Sequence, residues 1–228
     1  MEKKITVCLT SCGRFDLLEQ SIKSLTQFWD GPPPEAFYIN EDSGLPLPEV
    51  IGTHIKNVWL NCEYKEFAGL KNQIAGIDRM YKEVKTPYIF HTECDWLFHR
   101  TDFIAQSMDI LQSQPKISEV WLRLRNERNG HPVHSLVQKT KSGTKYQIVK
   151  TDYRGEWHGT SFGPTLRRLS DYKNTFPNGY AGVTEFNIKE PWKSEKEVGQ
   201  VYKKAGFKAA TLMTGYVKHL GANRHISS

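Results

Sequence analysis

An α/β fold with a mainly parallel sheet is what this chain predicts, and three features of the sequence predict it. Short β-branched runs alternate with segments of helical periodicity through the first hundred residues. The strand-like runs are continuously apolar, as strands buried on both faces are. Polar clusters ("TSCGR", "NEDSG" and "TECD") fall where three of those runs end, and open α/β sheets bind ligands at the carboxyl ends of their strands.

"KKITVCLT" reads as the first strand. Leu18, Ile22, Leu25 and Phe28 then recur at spacings of four, three and three, giving a helix with one apolar face. "GPPP" stops it, because consecutive prolines cannot continue a helix. "EAFYIN" is a second strand and, past the proline-rich "GLPLPEV", "IKNVWL" is a third. Leu70, Ile74, Ile77, Tyr81 and Val84 mark a long amphipathic helix, and "PYIFH" a fourth strand. Beyond residue 100 the pattern changes. "FIAQSMDILQ" is a helix and "EVWLRLR" a strand, while "HSLVQ" and "YQIVK" flank the turn "KTKSGTK" as an antiparallel hairpin. A glycine- and aromatic-rich stretch ("YRGEWHGTSFGPTLRRLSDY") precedes the helix "SEKEVGQVYKKAGF" and a last strand, "KAATLM". No linker separates the halves, so residues 1–228 are expected to form one domain.

At 228 residues and 38% hydrophobic content the chain can bury a sizeable core, which excludes a disordered chain. Its apolar runs are strand-length and "MEKKITVCLT" is no signal peptide, so a cytoplasmic protein without a transmembrane segment is expected, with peripheral membrane association left open. Cys8, Cys12, Cys62 and Cys94 include no C-x-x-C pair and read as reduced, mostly buried thiols. The net charge of +6 suggests an anionic partner. No zinc-finger, RNP-type or helix-turn-helix signature accompanies the lysines between Lys139 and Lys150, and a phosphate-bearing small ligand explains the charge as well as nucleic acid would; no nucleic-acid partner is expected.

"HTECDWLF" is the densest polar cluster. Burying its acids is costly unless they are paired or bind a metal. In an extended chain Glu93 and Asp95 would share one side, with Cys94 on the other.

Six segments, in order, resemble GT-A glycosyltransferases of family 2. "VCLTSCGRFDLLEQSIKSL" matches the opening strand, Arg-bearing turn and helix of that family. "YINEDSG" matches its acidic pair after the second strand, with the last two residues in reverse order. "GLKNQIAGI" matches its "G.a.arN.gi" helix, with Lys71 where Arg is commoner, and "IFHTECDW" its DXD-like metal-binding triplet. "SEKEVGQVYKKAGFKAA" resembles the acid-bearing helix, whose Glu-Asp start is represented by Ser194-Glu195, and "YVKHLGANRHI" the "H.G" ending. The resemblance is thinnest from about residue 125 to 160.

The resemblance implies a Rossmann-like GT-A fold: helices on both faces of the sheet, a nucleotide-sugar-binding half at 1–100, and a smaller antiparallel acceptor-side region within 101–228. It implies a metal-dependent hexosyltransferase moving a sugar from a nucleotide-diphosphate donor, UDP favoured over GDP, to a glycan or other hydroxyl-bearing acceptor with inversion. A hard cation, Mn²⁺ or Mg²⁺, neutralises the leaving diphosphate in such chemistry. Asp95 and His219 are then the metal ligands, with Glu93 assisting through water or holding the ribose. Thr10, Ser11, Arg14, Lys71 and Asn72 fall at donor-binding positions, and either Glu41 or Asp42 accepts a base N–H. Glu195 is the general base, with Glu197 and Glu185 as alternatives. Arg224 and His225 lie where they could touch diphosphate, and Trp157, Trp192 and Tyr180 offer sugar-stacking surfaces. Two other classes compete: a nucleotidyltransferase, which would need a glycine-rich phosphate loop that "TSCGR" hardly supplies, and a metal-free carbohydrate-binding module.

Overall fold

The computed structural model describes residues 3–68, 72–123, 131–150, 152, 159–187 and 190–221. Within them, strand β1 (Ile5–Ser11) leads through helix α1 (Phe15–Phe28) to β2 (Ala36–Glu41), α2 (Glu49–Val58) and β3 (Glu63–Ala68). Helix α3 (Gln73–Glu83), β4 (Tyr88–Glu93) and the short β5 (Trp96–Phe98) follow. The second half holds α4 (Phe103–Ser113), β6 (Ile117–Trp121), the hairpin β7 (Val133–Lys139) and β8 (Lys145–Val149), then β9 (Thr165–Arg168) and α5 (Leu169–Thr175). It continues through α6 (Pro191–Lys204), β10 (Lys208–Leu212) and β11 (Val217–His219).

Nine strands form one sheet in the order β3-β2-β1-β4-β9-β6-β10-β8-β7, so strands of both halves share it. β3, β2, β1 and β4 are mutually parallel, β9 is antiparallel to both β4 and β6, and β10 is parallel to β6. β8 is antiparallel to β10 and β7 to β8. Only β9 and β8 therefore run against the rest. β11 pairs with β5 as a separate two-stranded ribbon.

The two-residue period of a strand explains the layering. Ile5, Val7 and Leu9 of β1 join Phe37, Ile39, Tyr88 and Phe90 in a core covered by α1, α2 and α4. The alternate residues Cys8, Tyr38 and Ile89 enter a second core under α3, α5 and α6, with Ile77, Tyr81, Tyr172, Val198 and Tyr202. Both faces of β1, β2 and β4 are thus buried, which is why their sequences read as unbroken apolar runs.

Some elements differ from the sequence reading. "IKNVWL" is not a strand: most of it lies at the end of α2, and the third strand is the more polar "EYKEFA" of β3. Helix α3 starts at Gln73, where Asn72 Oδ1 accepts the Ala75 N–H as a cap. β9 emerges from the glycine- and aromatic-rich stretch, to which the sequence reading assigns no element. The four cysteines are free, and Cys8, Cys62 and Cys94 are buried. No helix among the described residues is long and apolar enough to cross a membrane.

Candidate active site

The carboxyl ends of β1, β2 and β4 lie side by side, because Thr10 and Ser11 are in register with Asn40 and Glu41 on one flank and Thr10 with Glu93 on the other. Arg14 occupies the N-cap of α1 without capping it through its side chain. Its guanidinium reaches across instead, donating from Nη1 to Asp95 Oδ2 at 2.9 Å and from Nη2 to Cys94 Sγ at 3.3 Å. Asp95 does not continue an extended strand beside Glu93. It sits in the turn between β4 and β5. That turn separates the two acids: Glu93 accepts from Gln73 Nε2 at 3.0 Å and Trp96 Nε1 at 3.2 Å, one bond on each oxygen.

The β5–β11 ribbon delivers the last partner. Pairing of His219 with Trp96 places its Nε2 3.2 Å from Asp95 Oδ2, and its ring lies 4.7 Å from the Trp96 indole. Leu220 N–H donates to the Asp95 carbonyl. Gly221 follows, and a Cβ there would stand 2.2 Å from Asp95 Oδ2 and 3.0 Å from Arg14 Nη1, so only glycine lets the chain pass this close. Burial pushes the Asp95 carboxyl up, but His219 and Arg14 outweigh it and hold the group below the usual carboxylate range. Asp95 Oδ1 is buried and has no hydrogen-bond partner.

Two ligands held at right angles about 2.1 Å from an ion stand about 3 Å apart, so the Asp95–His219 pair matches adjacent corners of one coordination sphere. The orphaned Oδ1 supplies a further oxygen. Among the described residues no group of three or more His, Cys, Asp or Glu side chains is placed to hold a metal. The fit is that of a two-ligand site completed from the substrate side, the manner in which Mg²⁺ meets phosphates.

Around this pair, Glu41 Oε1 accepts the backbone N–H of Gly13 and of Ser43, both at 2.8 Å, tying the two loops together, while its buried Oε2 has no partner. Asp42 Oδ1 accepts from Asn40 Nδ2. Thr10 and Ser11 are buried at the strand end, the Thr10 hydroxyl without a partner. Lys71, Trp157, Arg224 and His225 lie outside the described residues.

Glu195 comes from the other half. It is the fifth residue of α6, one turn past the helix start expected for it, and its Oε1 accepts the Phe162 N–H at 2.6 Å. The helix dipole would lower its pKa. Burial instead raises it, against the opposing pull of Arg123, the Phe162 N–H and the Ser161 hydroxyl. Glu93 is raised by burial and then by its repulsion from Asp95 and Glu195, which puts the three acids in one electrostatic neighbourhood. Glu197 accepts from Thr184 Oγ1, and exposed Glu185 lines a separate cavity of about 410 Å³ with Glu197 and Lys193. Trp192 is exposed, and Tyr180 is buried with its hydroxyl on Arg167.

Arg123 escaped the sequence reading. Its guanidinium lies 4.9 Å from the Trp96 ring and 5.7 Å from Trp121, and its Nη2 donates to Ser161 Oγ. "EVWLRLR" reads as one continuous strand, so nothing in the sequence marks Arg123 as lying beyond the strand end, whereas β6 stops at Trp121.

No family model and no curated protein sequence matches the chain. Solved structures do. The architecture is a glycosyltransferase-like fold: a mainly parallel sheet flanked by helices, shared with several nucleotide-sugar transferases. S. aureus TarS 1-349 in complex with UDP-GlcNAc superposes at a TM-score of 0.63 with 12% identity, covering 96% of this chain and 61% of that one. The mannosyltransferase PcManGT from Pyrobaculum calidifontis, in complex with GDP-Man and Mn²⁺, gives 0.62 and 11%, covering 97% and 58%. GalNAc-T7 with UDP, GalNAc and Mn²⁺ gives 0.64 and 10%, covering 95% and 43%. The chain spans about three-fifths of the TarS 1-349 fragment it matches.

Proposed function

We propose that this protein is a metal-dependent glycosyltransferase that moves a sugar from a nucleotide-diphosphate donor to an acceptor hydroxyl. The observation that carries the proposal is the convergence of the Asp95–His219 pair with Arg14 at the carboxyl ends of β1 and β4, in a fold shared with transferases of that kind. Asp95 and His219 would hold Mn²⁺ or Mg²⁺, which supplies charge neutralisation for the departing diphosphate. Arg14 holds Asp95 meanwhile and adds a second positive group beside the same phosphates. The unpartnered Glu41 Oε2 is the better acceptor for a base N–H such as that of uracil or guanine, since Asp42 Oδ1 already serves Asn40.

Glu195 is the general base for the acceptor hydroxyl. Its raised proton affinity makes it a stronger base than an exposed carboxylate, and inversion follows if it acts on the face opposite the leaving group. Residues 1–100 then bind the donor while 101–228 hold the acceptor, except that His219 returns to the donor side. Many transferases of this kind slowly hydrolyse their donor, so release of UDP or GDP from a panel of nucleotide sugars, with and without Mn²⁺, tests the proposal without an acceptor. Cation-dependent release from one donor is expected. Release that ignores the cation would remove the metal from the account.

A further inference from the structure

Ser161 is held at every polar atom by buried partners. Its N–H donates to Glu119 Oε1 at 2.9 Å and its carbonyl accepts from Arg167 Nη2 at 2.7 Å. Its Oγ accepts from Arg123 Nη2 and from the Gly163 N–H. With both acceptor positions taken, the hydroxyl proton is left to donate, and Glu195 is the carboxylate whose proton affinity the hydroxyl lowers. The next residue, Phe162, donates its N–H to Glu195 Oε1. The Ser161–Phe162 turn thus holds the carboxylate through the Phe162 N–H, and the turn is fixed by two fully buried charges: Glu119, and Arg167 paired with it at 3.1 Å.

Arg123 is the side chain that ties this turn to the donor side. It is flanked by Trp96 and Trp121, and Trp96 in turn contacts His219 and donates to Glu93. A Cβ at Gly163 would stand 2.4 Å from Arg123 Nη2, so glycine is what lets the guanidinium seat against the turn. A hydrogen bond into Ser161 Oγ also polarises its O–H, which strengthens any bond that hydroxyl donates.

We propose that Arg123 is a positioning residue, which through Ser161 orients the Glu195 carboxylate and couples it to the Trp96–His219 side of the site. The inference rests on the reading of Glu195 as base. Among the described residues, the charged groups that act most strongly on Glu195 are Arg123 and Glu119 from the β6 segment and Glu93 from β4. Removing Arg123 takes away the one cation among them, so Glu195 should hold its proton more tightly.

The test is carboxyl ¹³C NMR titration of Glu-labelled protein, with the Glu195 signal assigned by its loss in Glu195→Gln. In Arg123→Met the proton affinity of Glu195 should rise about tenfold, the smaller end of what a nearby opposite charge does. Ser161→Ala removes a single hydroxyl and keeps the test open should Arg123→Met not fold; the same rise, smaller, is expected. In donor hydrolysis with Mn²⁺, Ser161→Ala should lower kcat about three- to tenfold and leave the donor KM within about twofold, as loss of an interaction made only at the reacting step does. A Glu195 titration identical in both variants and in the parent would overturn the coupling. That readout needs no turnover, so it stands apart from failure of the base assignment, which Glu195→Gln activity decides.

Discussion

Asp95 and Glu195 lie at the same end of one sheet, and their surroundings move them in opposite directions. Asp95, in the β4–β5 turn, has Arg14 and His219 on one oxygen and is held below the usual carboxylate range despite burial. Glu195, on α6, has a backbone N–H, a hydroxyl and a more distant Arg123, and burial wins. An arginine and a histidine directly on the Asp95 carboxylate outweigh desolvation; a backbone N–H, a hydroxyl and a more distant arginine at Glu195 do not. The difference separates an acid suited to bind a cation from one suited to take a proton, the division of roles that unlike environments create from like groups.

The comparison can be broken at either acid. Asp95→Asn keeps shape and removes charge, so Mn²⁺-dependent UDP binding should fall below detection in equilibrium dialysis while circular dichroism stays unchanged. Undiminished binding would move the metal elsewhere. Glu195→Gln should do the reverse, lowering kcat about a hundredfold to ten-thousandfold, the usual share of a general base, with UDP affinity barely changed. Full activity in that variant would hand the role to Glu197 or Glu185. His219→Ala sharpens the first arm: Mn²⁺ affinity should weaken about ten- to a hundredfold, the size seen even for outer-shell losses.

Stability gives the smallest and most discriminating contrast. A depressed folded-state carboxyl contributes stability that is present above the unfolded value and lost as pH falls through the folded one; a raised carboxyl costs stability once pH exceeds the raised value, and costs nothing below the unfolded one. At pH 7 to 8 Asp95→Asn should therefore lower Tm and Glu195→Gln should raise it, each by about 2–4 °C per kcal/mol in a chain of this size. Both differences should shrink toward pH 3. Shifts of the same sign at neutral pH would mean that the two environments do not differ as described.

The two acids also differ in how far the sequence revealed them. Asp95 and His219 stood out as candidates because each lies in a short segment with a recognisable pattern, "IFHTECDW" and "YVKHLG". The β5–β11 pairing that joins them was not, since three-residue strands carry too little periodicity to register. Glu195 stood out as a candidate from its helix, but the turn that holds it did not. β9 is four residues long and contains Arg167, which reads as exposed until its partner Glu119 on the neighbouring β6 is seen. Similarly, "IKNVWL" is short and apolar, and such a run fits a strand or the buried side of a helix equally well; α2 buries Ile51 and Ile55 at helical spacing. β3 hid for the opposite reason. It is an edge strand with charged residues, and Tyr64 and Glu66 hydrogen-bond along one of its faces.

The most direct measurement is titration calorimetry of UDP into the full chain in the presence of Mn²⁺, repeated after EDTA. The Asp95–His219 account predicts saturable binding with the cation and its loss once the cation is removed. Equal affinity in both conditions would contradict it, as would failure to bind either UDP or GDP with Mn²⁺ present.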